Sequence, residues 1–322
     1  MNILITGSSG MIGTRLYERL LNDYGVIGLD IRLNKWQPEY NHKLKMLDLR
    51  RPSELEKLTE PVDLVVHLAA NARVYDLVKN PDLALDNMLI NFNTLEYMRK
   101  KGIRKIIFAS SREVYGNLNK GAAISEADVR LENCESPYAA SKVAGEALVH
   151  AYCRAYGIDF VIVRFSNVYG MYDDSDRVIP LWIRQCLGNE EMAVFGVMKS
   201  LDFTYIDDTV NGIIRIIERF DRVSGNTFNI AYGREVALFA LAGMLKSLLG
   251  SRSGITLSGN RPGEVWKFKA DISRARELLD FWPEVGIDEG LKRTLEWYRN
   301  LYLVGRAKQS GAERRRRDVV NV

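Results

Sequence analysis

Between a short apolar run, Asn2 to Thr6, and a helical pattern with Ile12, Leu16 and Leu20 on one face, the chain reads Gly7-Ser-Ser-Gly10-Met-Ile-Gly13. This junction limits the fold more than any other stretch. An apolar run that gives way to spaced glycines and then to helix periodicity predicts a strand–turn–helix unit. Glycines let the backbone turn tightly and approach a pyrophosphate, whose charge then faces the helix N-terminus. The spacing is GxxGxxG, whereas the general dinucleotide fingerprint is GxGxxG. Taken alone, the loop leaves an ordinary turn open as the alternative.

The rest of the first half repeats the alternation. Val26 to Asp30, Lys45 to Leu47, Val62 to Leu68, Lys105 to Ala109 and Phe160 to Arg164 read as further strands. Asn80-Pro81 and Ser136-Pro137 are cap-then-proline signals that open helices to about Lys101 and Tyr156. Strands this apolar on both faces, separated by helices, belong inside a parallel sheet. The predicted fold is α/β, a Rossmann-type doubly wound parallel sheet over residues 1–168. A smaller C-terminal α/β substrate lobe over 169–303, free to exchange segments with the first, is expected to carry helices at Val178 to Leu187, Asp208 to Arg219, Glu235 to Leu249, Ile272 to Leu279 and Asp288 to Tyr302.

Composition removes several classes of protein. The chain has 322 residues, 47% apolar and 27% charged, a globular balance. No apolar stretch approaches the ~18 residues of a membrane span, and the start, MNILITG, has no signal-peptide pattern. Cys134, Cys153 and Cys186, odd in number and without CxxC spacing, fit a reducing compartment. Three scattered histidines offer no zinc spacing. A cytoplasmic protein without metal is expected. The net charge of +4 comes from residues 305–322, where Arg306, Lys308 and Arg314 to Arg317 face only Glu313 and Asp318. A neutral body with a basic end is no footprint for nucleic acid. Residues 304–322 are expected to form a disordered basic tail.

Asp30 ends the second strand, where a carboxylate can hold ribose hydroxyls. It favours NAD, because it would repel the 2′-phosphate of NADP; Arg32 is the one nearby feature that points the other way. Tyr138-Ala-Ala-Ser-Lys142 sets a phenol and an ammonium four residues apart, on one helix face. A tyrosine with a pKa of about 10 is a poor base at neutral pH, and a nearby ammonium favours its phenolate. Such a group can take a proton from a sugar hydroxyl while hydride leaves the same carbon. Ser110 and Ser111 follow the fifth strand, at the carboxyl edge where ligands bind.

These residues together resemble the extended short-chain dehydrogenase/reductases of the NAD-dependent sugar-nucleotide epimerase/dehydratase group. The likeness spans about residues 1–300. It rests on TGSSGMIG (6–13), Asp30, Asp48-Leu49, HLAA (67–70), Asn87, SSREVYG (110–116), YAASK (138–142), RFSNVYG (164–170), DFTYIDD (202–208) and RPGE (261–264). The resemblance implies Ser111, Tyr138 and Lys142 as the catalytic triad, with Lys142 also on the nicotinamide ribose. It implies NAD held by Gly7, Gly10, Met11, Ile12, Gly13 and Asp30, with Ser110 alongside. Asp48 and Leu49 would contact adenine, Leu68, Ala69 and Ala70 would line the cofactor, and Asn87 would sit beside it. Asn167 and Arg261 match positions that grip a nucleotide diphosphate. His67 reads as a packed strand residue.

For the reaction, the resemblance implies oxidation at sugar carbon 4 and hydride return to the opposite face, a 4-epimerisation of the UDP-glucose/UDP-galactose type. Dehydratases of the group carry an acid before the glutamate at this point; here the pair is Arg112-Glu113, which weakens elimination. Glu113 and Arg177 also resemble residues of UDP-glucuronate decarboxylases, so decarboxylation or uronate 4-epimerisation is the alternative. A 4,6-dehydratase comes next, and a non-catalytic NAD-binding scaffold last. Leu201 stands where most of the family has a nucleotide-binding arginine, and Lys199 is the candidate substitute. The helices near 82–101 and 138–156 carry more apolar surface than one sheet contact needs, and the family pairs them in a homodimer.

Overall fold

The computed structural model describes residues 1–118 and 122–301. The basic tail expected over 304–322 lies outside the described residues. Seven strands form the main sheet: β1 (Asn2–Thr6), β2 (Gly25–Asp30), β3 (Leu44–Met46), β4 (Leu64–His67), β5 (Lys105–Ser111), β6 (Asp159–Phe165) and a seventh, Thr227–Ile230. All their pairings are parallel. The order runs β3-β2-β1-β4-β5-β6 and then Thr227–Ile230, so the winding reverses between β1 and β4. That reversal opens a crevice at the carboxyl ends of the strands, where α/β sheets bind ligands.

Alternation along each strand divides the core in two. Ile3, Ile5, Val66, Ile107 and Val161 face helix α1 (Met11–Leu20) and Val210 to Ile217, which lie in the helix Ile206–Glu218. Leu4, Val65, Phe108 and Ile162 face the opposite side, against Leu95 and Met98 of the helix Asp82–Lys101 and Val149 of the helix Pro137–Tyr156. Both cap-then-proline signals mark real helix starts. Asn80 Oδ1 accepts from the Asp82 N–H at 3.3 Å, and Ser136 Oγ accepts from the Ala139 N–H at 3.1 Å.

The sequence reading missed several elements. Val74–Lys79 is a short helix. Glu235–Ala237, expected as the start of a helix, is a strand antiparallel to Ser200–Asp202, and the helix begins at Leu238. In the second half, Asn167–Tyr169, Ser200–Tyr205 and Glu235–Ala237 make a three-stranded sheet, and Met192–Phe195 pairs with Ile255–Ser258. Most unexpected is the edge strand Thr227–Ile230. It lies beyond residue 168, yet it completes the main sheet against Ile162–Phe165. A helical run covers 287–301. Among the described residues no helix is long and apolar enough to cross a membrane.

Candidate active site

A cavity of about 850 Å3 runs along the carboxyl edge of the sheet. One end is made of backbone. Gly7 has φ +73°, a conformation that favours glycine, and a Cβ there would lie 2.9 Å from Ala69 Cα. A Cβ at Gly13 would collide with the Gly7 carbonyl oxygen. Helix α1 can therefore start close against the β1 turn, its N-terminus toward the cavity. The Gly7 N–H bonds Leu29 O at 2.8 Å, and the Gly10 N–H bonds Gly7 O at 3.1 Å. Asp30 is anchored at the end of β2 by the N–H groups of Ser9 (3.0 Å) and Arg32 (3.1 Å).

Of the residues singled out for the cofactor, Gly7, Gly10, Met11, Ile12, Gly13, Asp30, Asp48, Leu49, Leu68, Ala69, Ala70 and Ser110 all line this cavity. Asp48 does so with its carboxylate in the Arg50 guanidinium fork, at 2.8 to 3.2 Å. Those bonds hold its pKa below the ordinary carboxylate value. Asn87 lies behind the wall. Its amide is spent on both backbone groups of Asn71 (2.7 and 3.0 Å) and on Ser141 Oγ (3.3 Å), so it braces the loop after β4. His67 is buried between Thr6 Oγ1 (2.8 Å) and Asn91 Oδ1 (3.1 Å), and burial pulls its pKa down to about 4.

The middle of the cavity is where β5 ends and the helix Pro137–Tyr156 begins. Tyr138 and Ser111 line it together, and Ser111 Oγ accepts from the Glu113 N–H at 3.2 Å. Lys142 donates to Ala109 O at 2.8 Å, with its ammonium 5.9 Å from the Tyr138 ring centre. Burial pushes the Tyr138 phenol up to about 12; Ser111, Arg177 and Arg112 pull the other way. Burial also draws Lys142 down to about 8, opposed by Glu146. The chain alone thus holds the phenol protonated at neutral pH, and an added positive charge beside it is what would release the proton.

Glu146 continues this helix face one turn past Lys142, and the sequence reading overlooked it. It accepts from Ser110 Oγ at 2.5 Å and is forked by Arg164 at 2.6 and 2.9 Å. Arg164 reaches Tyr115 (3.1 Å), whose hydroxyl donates to Asn229 on the edge strand at 2.6 Å. The Tyr138, Lys142, Glu146 spacing was readable as one helix face. Its partners from β6 and Thr227–Ile230 had no local signal.

The far end is built of side chains. Arg112 and Glu113, in a tight turn after β5, form a buried ion pair at 2.8 Å, and Arg112 also donates to Asn167 Oδ1 at 3.2 Å. Asn167 donates in turn to Asp202 O at 3.0 Å. Lys199 is buried in an ion pair with Glu264 at 2.5 Å, beside Leu201, and both line the cavity. The Arg261 guanidinium stacks 3.8 Å above the Phe195 ring centre. Arg177 is on the rim, 41% exposed, near Asp173 (3.8 Å). Glu264 and Phe195 were not anticipated, because each acts through a partner from another segment.

A doubly wound sheet, a glycine turn at its switch point and a tyrosine–lysine pair across one cavity define a dinucleotide-dependent enzyme of the short-chain dehydrogenase type. The chain belongs to the NAD dependent epimerase/dehydratase family, whose model matches residues 3–231. It is 31% identical to a UDP-glucuronate 4-epimerase of Thermodesulfobacterium geofontis, over 91% of this chain and 95% of that one. Its fold matches the UDP-glucose 4-epimerase of Thermotoga maritima, solved with UDP-glucose, at TM-score 0.86 and 30% identity, over 94% of this chain and 100% of that one. The UDP-glucuronic acid 4-epimerase of Bacillus cereus, solved with UDP-glucuronic acid and NAD, gives the same TM-score of 0.86, identity of 30% and coverage of 94% and 100%.

The cavity fits the family's cofactor. Glycines at the two points where a Cβ would strike backbone keep the α1 N-terminus accessible to a pyrophosphate. Asp30 brings a carboxylate to the cavity wall, a group that can hold ribose hydroxyls and repels a 2′-phosphate.

Proposed function

We propose that this chain is a nucleotide-sugar 4-epimerase acting on neutral hexose nucleotides of the UDP-glucose/UDP-galactose type. The observation that carries the reading is the Ser111–Tyr138–Lys142 group midway along a cavity with a glycine turn at one end and Lys199, Arg261 and Asn167 at the other. In this reading Gly7 to Gly13, Asp30, Asp48-Leu49 and Leu68 to Ala70 hold NAD, which supplies a hydride acceptor and, once reduced, the matching donor. Tyr138 takes the proton of the carbon 4 hydroxyl and later returns it, while Ser111 holds that oxygen by a hydrogen bond. The Lys142 ammonium favours the phenolate and grips the ribose. Lys199 and Arg261 meet the diphosphate and Asn167 steadies it, so that the ketone can turn over between the two hydride transfers.

The working division is a cofactor half over 1–168 and a mainly substrate-binding lobe over 169–303. We also propose a cytoplasmic homodimer. Leu85, Leu89 and Phe92 leave an exposed apolar stripe on the helix Asp82–Lys101. Ala147 and Ala151 are exposed on the neighbouring helix. Leu95, Tyr97, Ala139 and Tyr152 of the same two helices are buried within the chain and lie outside that stripe.

Incubating the protein with UDP, dTDP, GDP and CDP sugars and separating the products tests the reading. The expected result is interconversion of UDP-glucose and UDP-galactose without added NAD. Carbon dioxide release with a pentose product, or turnover of uronates alone, overturns it. The uronate reading is supported by Arg177 on the cavity rim and by the Thermodesulfobacterium relative.

A further inference from the structure

Whole-chain similarity weighs equally toward a relative solved with a neutral hexose nucleotide and one solved with a uronate. The wall of the cavity beside Tyr138 does not. Arg112 and Glu113 are 7% and 5% exposed, and each has spent one end on the other. Among the described residues, Arg112 Nη1 and Glu113 Oε2 are buried without a hydrogen-bond partner. Such orphaned atoms in a native interior call for an explanation. Both residues line the cavity, so a ligand seated there, with a small adjustment of the two side chains, can supply the missing partner. The Glu113 N–H donates to Ser111 Oγ at 3.2 Å, and Ser111, Arg112, Glu113 and Tyr138 line the same cavity, so the pair stands in the wall of the reacting site.

We propose that the Arg112–Glu113 pair is the specificity device of this enzyme: it is completed by a hydroxyl on a carbon flanking the reacting one, and it rejects a carboxylate there. The inference rests on the 4-epimerase reading and supplies its substrate class. The argument is one of donors and acceptors. The pair leaves the two N–H groups of Arg112 Nη1 and one Glu113 carboxylate oxygen unused, and a hydroxyl both accepts and donates. A carboxylate only accepts. It would satisfy Arg112 and leave Glu113 facing a second anion in a dry wall, the arrangement that costs most. Lys142 donates to Ala109 O, Lys199 already holds Glu264, and Arg177 is out on the rim.

The test compares the affinities of UDP-glucose and UDP-glucuronate by competition, on the full chain carrying Tyr138→Phe so that no turnover intervenes. The parent should prefer UDP-glucose. Adding Glu113→Gln removes the anion and supplies an N–H, so the preference should move toward UDP-glucuronate by ~tenfold or more. Adding Arg112→Gln leaves the anion alone, and the preference should move the opposite way. Two variants of opposite sign separate specificity from mere destabilisation, which would shift both alike. No shift, a shift in the same direction, or a parent that prefers UDP-glucuronate overturns the inference. A wild-type chain that epimerises no nucleotide sugar sinks the 4-epimerase reading instead, and the binding ratios remain readable in that event.

Discussion

At the cofactor end of the cavity, positions are set by backbone: Gly7 and Gly13 pack where a methyl group would meet Ala69 or the Gly7 carbonyl, and Asp30 is fixed by two N–H groups. At the substrate end they are set by side chains that meet from distant segments, Lys199 with Glu264, Arg112 with Asn167, Arg261 on Phe195. Backbone packing punishes a single added atom and is indifferent to charge. Ion pairs tolerate changes of volume and respond to charge and pH. One family can therefore keep one end of the cavity while the other end changes substrate. Between the two stands Tyr138, which belongs to neither scheme.

The largest effect should come from that seam. Tyr138→Phe deletes the acid–base group and should lower kcat by ~10²-fold or more, with cofactor content and substrate affinity retained. Loss of bound NAD in the same variant would show that the two ends are not separable. Next, Gly13→Ala should cost ~1–3 kcal/mol in urea unfolding, as overpacking of a rigid site does. It should also leave the purified protein without NAD. A full complement of NAD in this variant would break the claim that the backbone sets the cofactor end. Lys199→Met, at the other end, should raise KM by ~tenfold with kcat little changed, because it removes binding that substrate and transition state share. An equal fall in kcat would move Lys199 into the chemistry. The smallest effect is one of pH. Burial raises the pKa of Glu113 above the ordinary carboxylate value, while Arg112 and Lys199 lower it and Glu264 opposes them; the Tyr138 phenol also faces it. Protonation removes the anion from the wall. The preference for UDP-glucose over UDP-glucuronate should then fade as pH falls, starting above the range of a free glutamate. A preference that sharpens in acid would point to a different group.

The same contrast explains what could be read from the sequence. The glycine loop, Asp30 and the Tyr138–Lys142 pair are local patterns whose geometry follows from a strand end or one helix face, and all of them line the cavity. Five strands of the sheet were legible because their apolar runs are nearly continuous, and the short third one, around Lys45, by its place in the alternation. Thr227–Ile230 escaped because its Asn229 is buried through bonds to Tyr115, Ile124 and Asp271, which no periodicity marks. Asn87 was assigned to the cofactor by likeness alone, whereas its amide is consumed by Asn71. Glu264 lay inside a recognised segment, but its pairing with Lys199 spans 65 positions and leaves no trace in spacing.

The origin of the seventh strand has a consequence for how the chain is made. As the polypeptide emerges, every residue proposed to hold the dinucleotide has been synthesised by residue 165, yet β6 then ends the sheet with its outer hydrogen-bonding row unmet. An uncovered edge of this kind invites pairing with other chains. At ordinary synthesis rates the wait for residues 227–230 lasts on the order of 3–12 s. During that interval Tyr115, the partner of Arg164, also lacks Asn229, so the polar layer beneath Ser110 is incomplete. A fragment cut after the cofactor half would be held permanently at this stage. It should aggregate where the whole chain folds, and supplying NAD should not rescue it.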